Sequence, residues 1–314
     1  MNEQTLHVVF GTGPLGRAVA RELFAAGKRV RMVNRSGEAD VPAGIEVIRG
    51  DSSSVKTTTM ACANAAVVYQ CAAPPYHEWV EKFPALQAAI IEGAATAGAK
   101  LVSAENLYMY GEVHGPIRED LPLAATTRKG RTRAAMANAL LEAHAKGELR
   151  VAIGRGSDFF GPHVLTSALG ERTFVPALAG KRVYAFGDMD VPHTYTFIED
   201  FGKALVILGE RDEALGQVWH VPNAETVSTR TLVTMIFEEA RQKPNVSSMS
   251  PTMMQMIGLL IPAVREMKEM MYEFQKPFIV DSSKFSQTFG NHATPLRDAI
   301  RKTLIWYRGR HSTM

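Results

Sequence analysis

The strongest constraint on the fold is a glycine-rich string at the end of the first apolar run. Leu6 to Phe10 is apolar and leads into GTGPLG, with Gly11, Gly13 and Gly16 in the glycine positions of a G-x-G-x-x-G motif. Gly11 permits a tight turn, Gly13 lets backbone N–H groups approach a pyrophosphate, and Gly16 lets a helix pack close to the strand. The motif predicts that phosphates of a dinucleotide bind at the positive N-terminus of the next helix.

The pattern after the glycines agrees with this prediction. Apolar side chains at positions 15, 19 and 23 repeat at helical spacing, and a second apolar run spans 30–33. Strand, glycine turn, helix and strand therefore come in the order of a dinucleotide-binding βαβ unit. The residues predicted to bind the cofactor here are Gly11, Thr12, Gly13, Pro14, Leu15 and Gly16.

The end of the second strand indicates which dinucleotide is bound. NAD enzymes usually place Asp or Glu there to bind the ribose 2′-hydroxyl, whereas this chain has Asn34, Arg35 and Ser36. A carboxylate would repel a 2′-phosphate, while the Arg35 guanidinium can bind one with Ser36 as a neutral donor beside it. The sequence therefore predicts NADP(H). The alternative is that Arg35 is a solvated loop arginine.

Two further strand ends complete the predicted cofactor site. Asp51 and Ser52 follow the third apolar run, 45–48, and Asp51 could equally be a helix cap. Ala72 and Ala73 follow the fourth apolar run, 66–69. The chemistry is expected beyond the carboxyl ends of these strands, as in other open parallel sheets.

Composition excludes several classes of protein. The 314 residues are 46% hydrophobic, enough for a sizeable core, and 35 Lys and Arg against 32 Asp and Glu leave no basic excess for nucleic acid. The N-terminus lacks a signal-peptide pattern, and the longest apolar stretch, 256–264, is too short to span a membrane. Two cysteines in no C-x-x-C pair, and no clustered ligands, predict no disulfide framework and no metal. We expect a cytoplasmic protein with no membrane partner.

Alternating short apolar runs and helical patterns predict an α/β fold. Further runs at 101–103 and 149–153 alternate with helical patterns around 78–98 and 131–146. This alternation predicts a Rossmann-type doubly wound parallel sheet with a smaller C-terminal substrate lobe. The predicted dinucleotide-binding domain is 1–163, with 194–220 returning to it, and the substrate lobe is mainly 164–193 and 221–314.

A methionine-rich stretch near the C-terminus is predicted to be a long helix over 249–276. It includes Met267, Met270 and Met271. Flexible thioethers fill irregular cores and also line adaptable binding surfaces. Core or interface packing is the favoured interpretation. A pocket lined by these side chains would suit a hydrophobic substrate.

Several strings together resemble the extended short-chain dehydrogenase/reductase superfamily, which includes sugar-nucleotide epimerases and dehydratases. They are LVSAENLYMYGEVHGPIRED at 101–120, RVAIGRGSDFFGPHV at 150–164, HTYTFIEDFGKALV at 193–206, FIVDSSKF at 278–285 and TLIWYR at 303–308. The resemblance covers nearly the whole chain in this order. It implies a nicotinamide-dependent oxidoreductase, with a homodimer formed through the helices around 78–98 and 131–146.

The chain departs from this superfamily at the residues that carry the proton. Members use a Tyr, a Lys four residues later, and a Ser or Thr on the preceding strand. The alignment puts Lys129 at the Tyr position, Arg133 at the Lys position and Asn106 at the Ser or Thr position. The chain therefore resembles atypical members with a substituted active site.

Four side chains are candidates for the catalytic roles. The Tyr108 phenol could donate to a developing oxyanion, or be a buried aromatic bonded to backbone. Lys129 could act as an acid if Arg133 lowered its pKa, or belong to a solvated basic helix start. Arg133 can only orient or stabilise charge, and Asn106 could bind a substrate carbonyl or brace its loop.

Two more side chains are candidates for substrate binding. His193 and Tyr195 precede a predicted helix near the substrate lobe, although a lone histidine is more often a structural residue. Asp200 is predicted to cap a helix that begins at Phe201.

These observations predict an enzyme, an NADP(H)-dependent oxidoreductase acting on a carbonyl or activated C=C bond of a small, fairly apolar molecule. One alternative is a sugar-nucleotide epimerase or dehydratase. Another is an NADPH-binding sensor that performs no chemistry.

Overall fold

The computed structural model describes residues 5–249 and 267–311. In chain order the elements are β1 (Leu6–Phe10), α1 (Pro14–Ala25), β2 (Arg29–Asn34), β3 (Glu46–Arg49), α2 (Val55–Cys62), β4 (Ala65–Gln70), α3 (Trp79–Thr96), β5 (Lys100–Glu105), α4 (Arg128–Ala145), β6 (Arg150–Arg155), β7 (Phe159–Phe160), α5 (Glu171–Leu178), β8 (Val183–Ala185), β9 (Pro192–His193), β10 (Thr196–Phe197), α6 (Ile198–Glu210), β11 (Val218–His220), β12 (Val227–Ser228), α7 (Thr229–Glu239), β13 (Val246–Ser248), α8 (Ser283–Phe289) and α9 (Leu296–His311). Short 3₁₀ helices span Tyr76–Glu78, Tyr108–Tyr110, Asp212–Ala214 and Met267–Phe274.

The centre of the molecule is a seven-stranded sheet in the order β3-β2-β1-β4-β5-β6-β11. Every neighbouring pair in it is parallel. From β1 the chain adds β2 and β3 on one side of the sheet, and then β4, β5 and β6 on the other side. The strand order therefore switches between β1 and β4, and the crevice beyond their carboxyl ends is the expected ligand site. The predicted doubly wound α/β sheet is confirmed.

Alternating side chains of the strands pack against helices on both faces of the sheet. On β1, Val8 and Phe10 join a core with α2, α3 and α4, whereas Val9 faces a second core with α1, α6 and α8. This alternation is the period of two that a pleated strand imposes. Apolar residues on both faces explain why the strands appear in the sequence as continuous apolar runs.

A third core lies in the smaller C-terminal part of the chain. It is formed mainly by α5, α7 and α9, with Phe174, Phe237 and Tyr307 completely buried. Three two-stranded ladders join the pairs β7 and β10, β9 and β12, and β8 and β13. The predicted boundaries between the dinucleotide-binding domain and the substrate lobe, at 163, 194 and 220, stay a prediction. Beyond α6 and β11, α8 also packs on the central sheet, through Phe285.

Two local predictions need correction or restriction. Asp200 does not cap α6, because this helix begins at Ile198 and the Asp200 carboxylate instead accepts hydrogen bonds from the N–H and hydroxyl of Thr294, both at 2.7 Å. Most of the predicted helix over 249–276 lies outside the described residues. Its described end is a 3₁₀ helix in which Met270 is buried, and the side chain of Met267 lies outside the description.

Candidate functional site

The glycine turn between β1 and α1 has the close packing that its sequence predicts. Gly11 has φ of 98°, and a Cβ there would lie 2.8 Å from the Ala72 backbone on β4's outgoing loop. A Cβ on Gly16 would lie 2.0 Å from the Gly11 carbonyl oxygen. Gly13 differs, because a Cβ there would meet nothing within 4 Å. The turn is therefore tight toward the protein and open on the side of Gly13.

Beyond the turn lies a cleft of about 830 Å³ across the carboxyl ends of the central strands. Of the predicted cofactor residues, those that line it are Gly11, Thr12, Gly13, Pro14, Leu15, Asn34, Arg35, Asp51, Ser52, Ala72 and Ala73. Aromatic and apolar walls come from Trp79, Phe83, Leu86, Phe159 and Phe201. Gly16 and Ser36 do not line the cleft.

Asn34 organises the loop at the end of β2. Its Nδ2 donates to the Thr12 hydroxyl and to the Glu38 carbonyl, both at 2.7 Å, and its Oδ1 accepts from the Gly37 N–H at 2.6 Å. Ser36 donates to Asn34 Oδ1 and so contributes to the same loop. Arg35 is exposed at this end of the cleft, and no carboxylate stands at the end of β2.

Asp51 has a different local role from a helix cap. Its Oδ1 accepts from the Ser53 N–H at 2.9 Å, while α2 is capped by Ser54, whose side chain accepts from the Thr57 N–H. Asp51 is exposed and lines the cleft beside Ser52.

The cleft residues fit a dinucleotide on two structural grounds. The N-terminus of α1 opens at Gly13 with Pro14 in its first turn and no side-chain cap, so its free N–H groups and dipole suit a pyrophosphate. At the other end, Arg133 lines the cleft and is only 2% exposed, yet its Nε–H has no acceptor among the described residues. An acceptor on a bound ligand would satisfy that donor.

Arg133 belongs to a buried group of charges at the ends of β5 and β6. The Arg155 Nε donates to Glu105 Oε2 at 3.0 Å, and the Arg133 Nη2 lies 3.6 Å from Glu105 Oε1. Burial is the largest cause and lowers the pKa of Arg133; the charge of Glu105 opposes this shift, and the charge of Arg155 adds to it. The Glu105 carboxylate thus faces the guanidiniums of both Arg155 and Arg133. Of these two arginines, Arg133 lines the cleft.

Asn106 lies at the same end of the cleft and also braces its own loop. Its Oδ1 accepts from the Tyr108 N–H at 3.4 Å, and Asn106 lines the cleft directly. The structure therefore brings together Asn106 and Arg133 of the four predicted catalytic residues.

Tyr108 and Lys129 lie beside the cleft rather than on its lining. The Tyr76 hydroxyl donates to the Tyr108 hydroxyl at 3.4 Å, and burial is the main cause that raises the pKa of both phenols. Lys129 is 1% exposed, donates to Glu269 Oε1 at 2.8 Å and lies 4.6 Å above the Tyr76 ring. The interpretation of Lys129 as a solvated helix residue is wrong, because Glu269 and Tyr76 cover it.

The two predicted substrate residues are held by other side chains. The His193 ring stacks on Tyr195, with centroids 4.4 Å apart, and its Nε2 lies 3.0 Å from Asp158 Oδ2. The Tyr195 hydroxyl bonds to the Thr229 hydroxyl at 2.7 Å. Neither residue lines the cleft, and their substrate role stays a prediction.

Sequence reasoning missed four residues of this region, namely Tyr76, Glu105, Asp158 and Glu273. The first three follow or end β4, β5 and β6, so their position at strand ends was a usable signal. Glu273 comes from the distant 267–274 segment, and no local pattern connects it to Tyr108. Among the described residues, no cluster of possible metal ligands occurs and no helix is both long and apolar enough to cross a membrane.

The fold and the arrangement of the cleft define a Rossmann-type protein of the extended short-chain dehydrogenase/reductase class. The model of the NAD dependent epimerase/dehydratase family matches residues 8–221, more than half of the chain, and the chain belongs to that family. No curated protein matches the sequence.

Solved structures with the same fold cover nearly the whole chain. An epimerase from Methanothermobacter thermautotrophicus has a TM-score of 0.83 at 16% identity, covering 99% of this chain and 94% of its own. The dTDP-glucose 4,6-dehydratase DesIV from Streptomyces venezuelae, solved with NAD, has a TM-score of 0.80 at 15% identity over 99% and 98% of the two chains. The UDP-glucose 4-epimerase from Thermus thermophilus, also solved with NAD, has a TM-score of 0.77 at 19% identity over 97% and 99%. At identities of 15%, 16% and 19%, the likeness to these structures shows a shared fold alone.

Proposed function

We propose that this chain is a nicotinamide-dinucleotide oxidoreductase that interconverts an alcohol and a carbonyl group on a sugar nucleotide. The observation that carries the proposal is one continuous cleft lined by Arg35, Gly13, Asn106 and Arg133. Family membership supports epimerase or dehydratase chemistry, and the substrates named for the Streptomyces and Thermus structures support a sugar nucleotide. Both favour this substrate over the small apolar molecule that the sequence predicted.

We further propose NADP(H) as the preferred cofactor. Arg35 is exposed at the cleft where a 2′-phosphate would lie, and the side chain before it is Asn34 rather than a carboxylate. The dinucleotides in the solved Streptomyces and Thermus structures are NAD, so the preference rests on Arg35 alone.

The protein side of the reaction is proton transfer and charge stabilisation. A bound nicotinamide would supply or accept the hydride. Tyr108, whose hydroxyl accepts a hydrogen bond from Tyr76, would give a proton to the substrate oxygen in reduction, while Asn106 could bind that oxygen. Arg133 keeps its charge and would orient acceptor groups on the ligand through its unpaired Nε–H.

A second candidate function is reduction of a carbonyl compound outside the sugar nucleotides. The observation that favours it is the raised pKa of Tyr108 and Tyr76, caused first by burial. A phenol with a raised pKa stays protonated, so it is present as a donor to a developing alkoxide but not as the base that the first, oxidising step of epimerisation needs.

A two-part incubation tests the proposal. In the first, the protein is incubated with UDP-glucose or dTDP-glucose and either NAD⁺ or NADP⁺, and NMR follows the sugar. In the second, NADPH deuterated at C4 is incubated with a panel of ketones and aldehydes, and mass spectrometry detects product deuterium. An epimer or a keto sugar supports the first function, and a deuterated alcohol alone supports the second. Cofactor binding without either product contradicts both and favours the sensor.

Replacing Tyr108 tests its proposed role. Tyr108→Phe removes the hydroxyl but keeps the ring, so we expect kcat to fall about 100-fold with unchanged cofactor affinity. Steady-state kinetics and a cofactor titration measure the two quantities. Tyr184→Phe, at a 42% exposed tyrosine on β8, is the matched control. Unchanged turnover in Tyr108→Phe would reassign Tyr108 to packing.

A further inference from the structure

A tryptophan on the wall of the cleft is fixed by aromatic neighbours. Trp79 is the first residue of α3, is partly buried and lines the cleft. The centroid of its ring lies 5.0 Å from that of Tyr76, 5.3 Å from that of Phe83 and 5.9 Å from that of Tyr108. Because three rings pack around the indole, the part of it that meets the cleft is a fixed surface.

The one polar atom of the indole is used inside the protein. Trp79 Nε1 donates a hydrogen bond to the Pro74 carbonyl oxygen at 3.0 Å. An indole has no second donor and no acceptor. Trp79 therefore offers the cleft apolar carbon, which binds a ligand through contact with C–H groups or with another ring rather than through hydrogen bonds.

Trp79 lies near the residues to which we assign the chemistry. One of its aromatic neighbours is Tyr108, the proposed proton donor, and another is Phe83, whose ring centroid lies 4.6 Å from the Arg133 guanidinium carbon. Asn106 and Arg133 line the cleft together with Trp79. The cleft thus combines hydrogen-bonding side chains with an aromatic surface, an arrangement that fits a ring with polar groups at its edge and C–H groups on its face.

We infer that Trp79 binds the sugar ring of the substrate through the C–H face of that ring. The inference rests on the proposed function and adds a specificity-determining residue to it. A pyranose carries hydroxyl groups around its edge, which suit Asn106, and C–H groups on its faces, which suit the indole. Contact with the ring raises the affinity for a sugar nucleotide and leaves that for the nucleoside diphosphate alone unchanged.

Two ligands that differ only in the sugar test this inference. The protein is saturated with NADPH or NADH, so that the alcohol of the sugar cannot be oxidised, and calorimetry measures the affinity for UDP-glucose and for UDP. The pair dTDP-glucose and dTDP is measured in the same way. In Trp79→Ala the indole surface is absent, so we expect both sugar nucleotides to bind about tenfold more weakly, with UDP and dTDP unchanged.

The ratio of the two affinities separates substrate binding from a structural role. If Trp79 only packs against Tyr76 and Phe83, Trp79→Ala lowers the unfolding free energy without changing the ratio, and the inference is overturned. An equal loss for UDP and UDP-glucose also overturns it. Trp306→Ala is the matched control, because Trp306 packs 4.8 Å from the Tyr307 ring and does not line the cleft. A loss of sugar preference in Trp306→Ala as large as that in Trp79→Ala overturns the inference.

A second variant keeps the test decisive if Trp79→Ala does not fold. Trp79→Leu keeps an apolar side chain at the start of α3 but has no flat ring, so the preference for UDP-glucose over UDP should again decrease. A wild-type preference in Trp79→Leu overturns the inference and leaves the proposed function standing. If the wild type binds none of the four ligands, the proposed sugar-nucleotide function is overturned, and the inference with it.

Discussion

At the scale of single residues, the arginine at position 133 limits the chemistry that this position can perform. A guanidinium remains protonated at any pH the enzyme meets, so Arg133 can bind and orient but cannot donate a proton. Its burial is tolerated because Glu105 lies 3.6 Å away and the Phe83 ring lies 4.6 Å from its guanidinium carbon. Under the proposed function, proton transfer to the substrate therefore falls to Tyr108.

The proposed preference for NADP(H) also rests on one residue. Arg35→Ala removes the cation at the end of β2, so we expect NADPH to bind about tenfold more weakly, ~1.4 kcal/mol, while NADH affinity is unchanged. Calorimetric titration of both cofactors measures the difference. Arg29→Ala removes an exposed arginine at the opposite end of the same strand and serves as the control. An equal loss for both cofactors would contradict the assignment of a 2′-phosphate to Arg35.

At the scale of elements, the parallel sheet explains how residues far apart in sequence meet. The chain leaves β4, β5 and β6 at the same edge, so Tyr76, Tyr108 and Asp158 all lie at the carboxyl ends of neighbouring strands. The 3₁₀ helix at 267–274 packs over them and is joined to α4 by Glu269, which accepts from Lys129 Nζ and from the Arg128 N–H. The covering segment therefore adds an acid, Glu269, that comes from a distant part of the chain.

The turn between β1 and α1 allows two glycines to be tested against each other. In Gly16→Ala the new methyl would lie 2.0 Å from the Gly11 carbonyl, so strand and helix must separate, and we expect a loss of roughly 1–3 kcal/mol in unfolding free energy. In Gly13→Ala the methyl meets nothing within 4 Å, so stability should change by less than about 0.5 kcal/mol while dinucleotide affinity falls. Urea unfolding and a cofactor titration measure the two effects. Equal stability losses would mean that the contact with Gly11 does not govern the turn.

At the scale of the whole molecule, a chain of hydrogen bonds joins the central sheet to the C-terminal segment. The Arg155 Nη1 donates to the Tyr110 hydroxyl at 2.7 Å, and that hydroxyl donates to the His220 Nε2 at 2.8 Å. The His220 Nδ1 in turn donates to the Asp281 carbonyl at 2.9 Å. This pattern requires a neutral imidazole on β11.

The neutral state of His220 predicts how stability depends on pH. Burial, its largest cause, lowers the pKa of His220 from 6.5 to about 4. Between these values the unfolded chain binds a proton that the folded chain does not, so this contribution is complete above pH 6.5 and is lost as the pH falls toward 4. The loss is roughly 3 kcal/mol for one histidine with such a shift.

Urea unfolding at pH 7.5 and 4.5 measures this dependence. We expect His220→Gln to reduce the difference in unfolding free energy between the two pH values, because glutamine does not titrate. His77→Gln, at an exposed histidine, should keep the wild-type difference. If both variants behave alike, His220 does not set the slope.

The sequence by itself determined the order of strands and helices, the glycine turn and the strand ends that line the cleft. These features depend on local periodicity and on the conformations that glycine alone adopts, both of which are written in neighbouring residues. Gly13, Arg35 and Asn106 could be predicted for this reason. Only the tertiary structure decided that Lys129 is covered by Glu269 and that the Tyr110 hydroxyl bonds to His220. Those pairs are more than a hundred residues apart, and packing between distant elements leaves no local pattern in the chain.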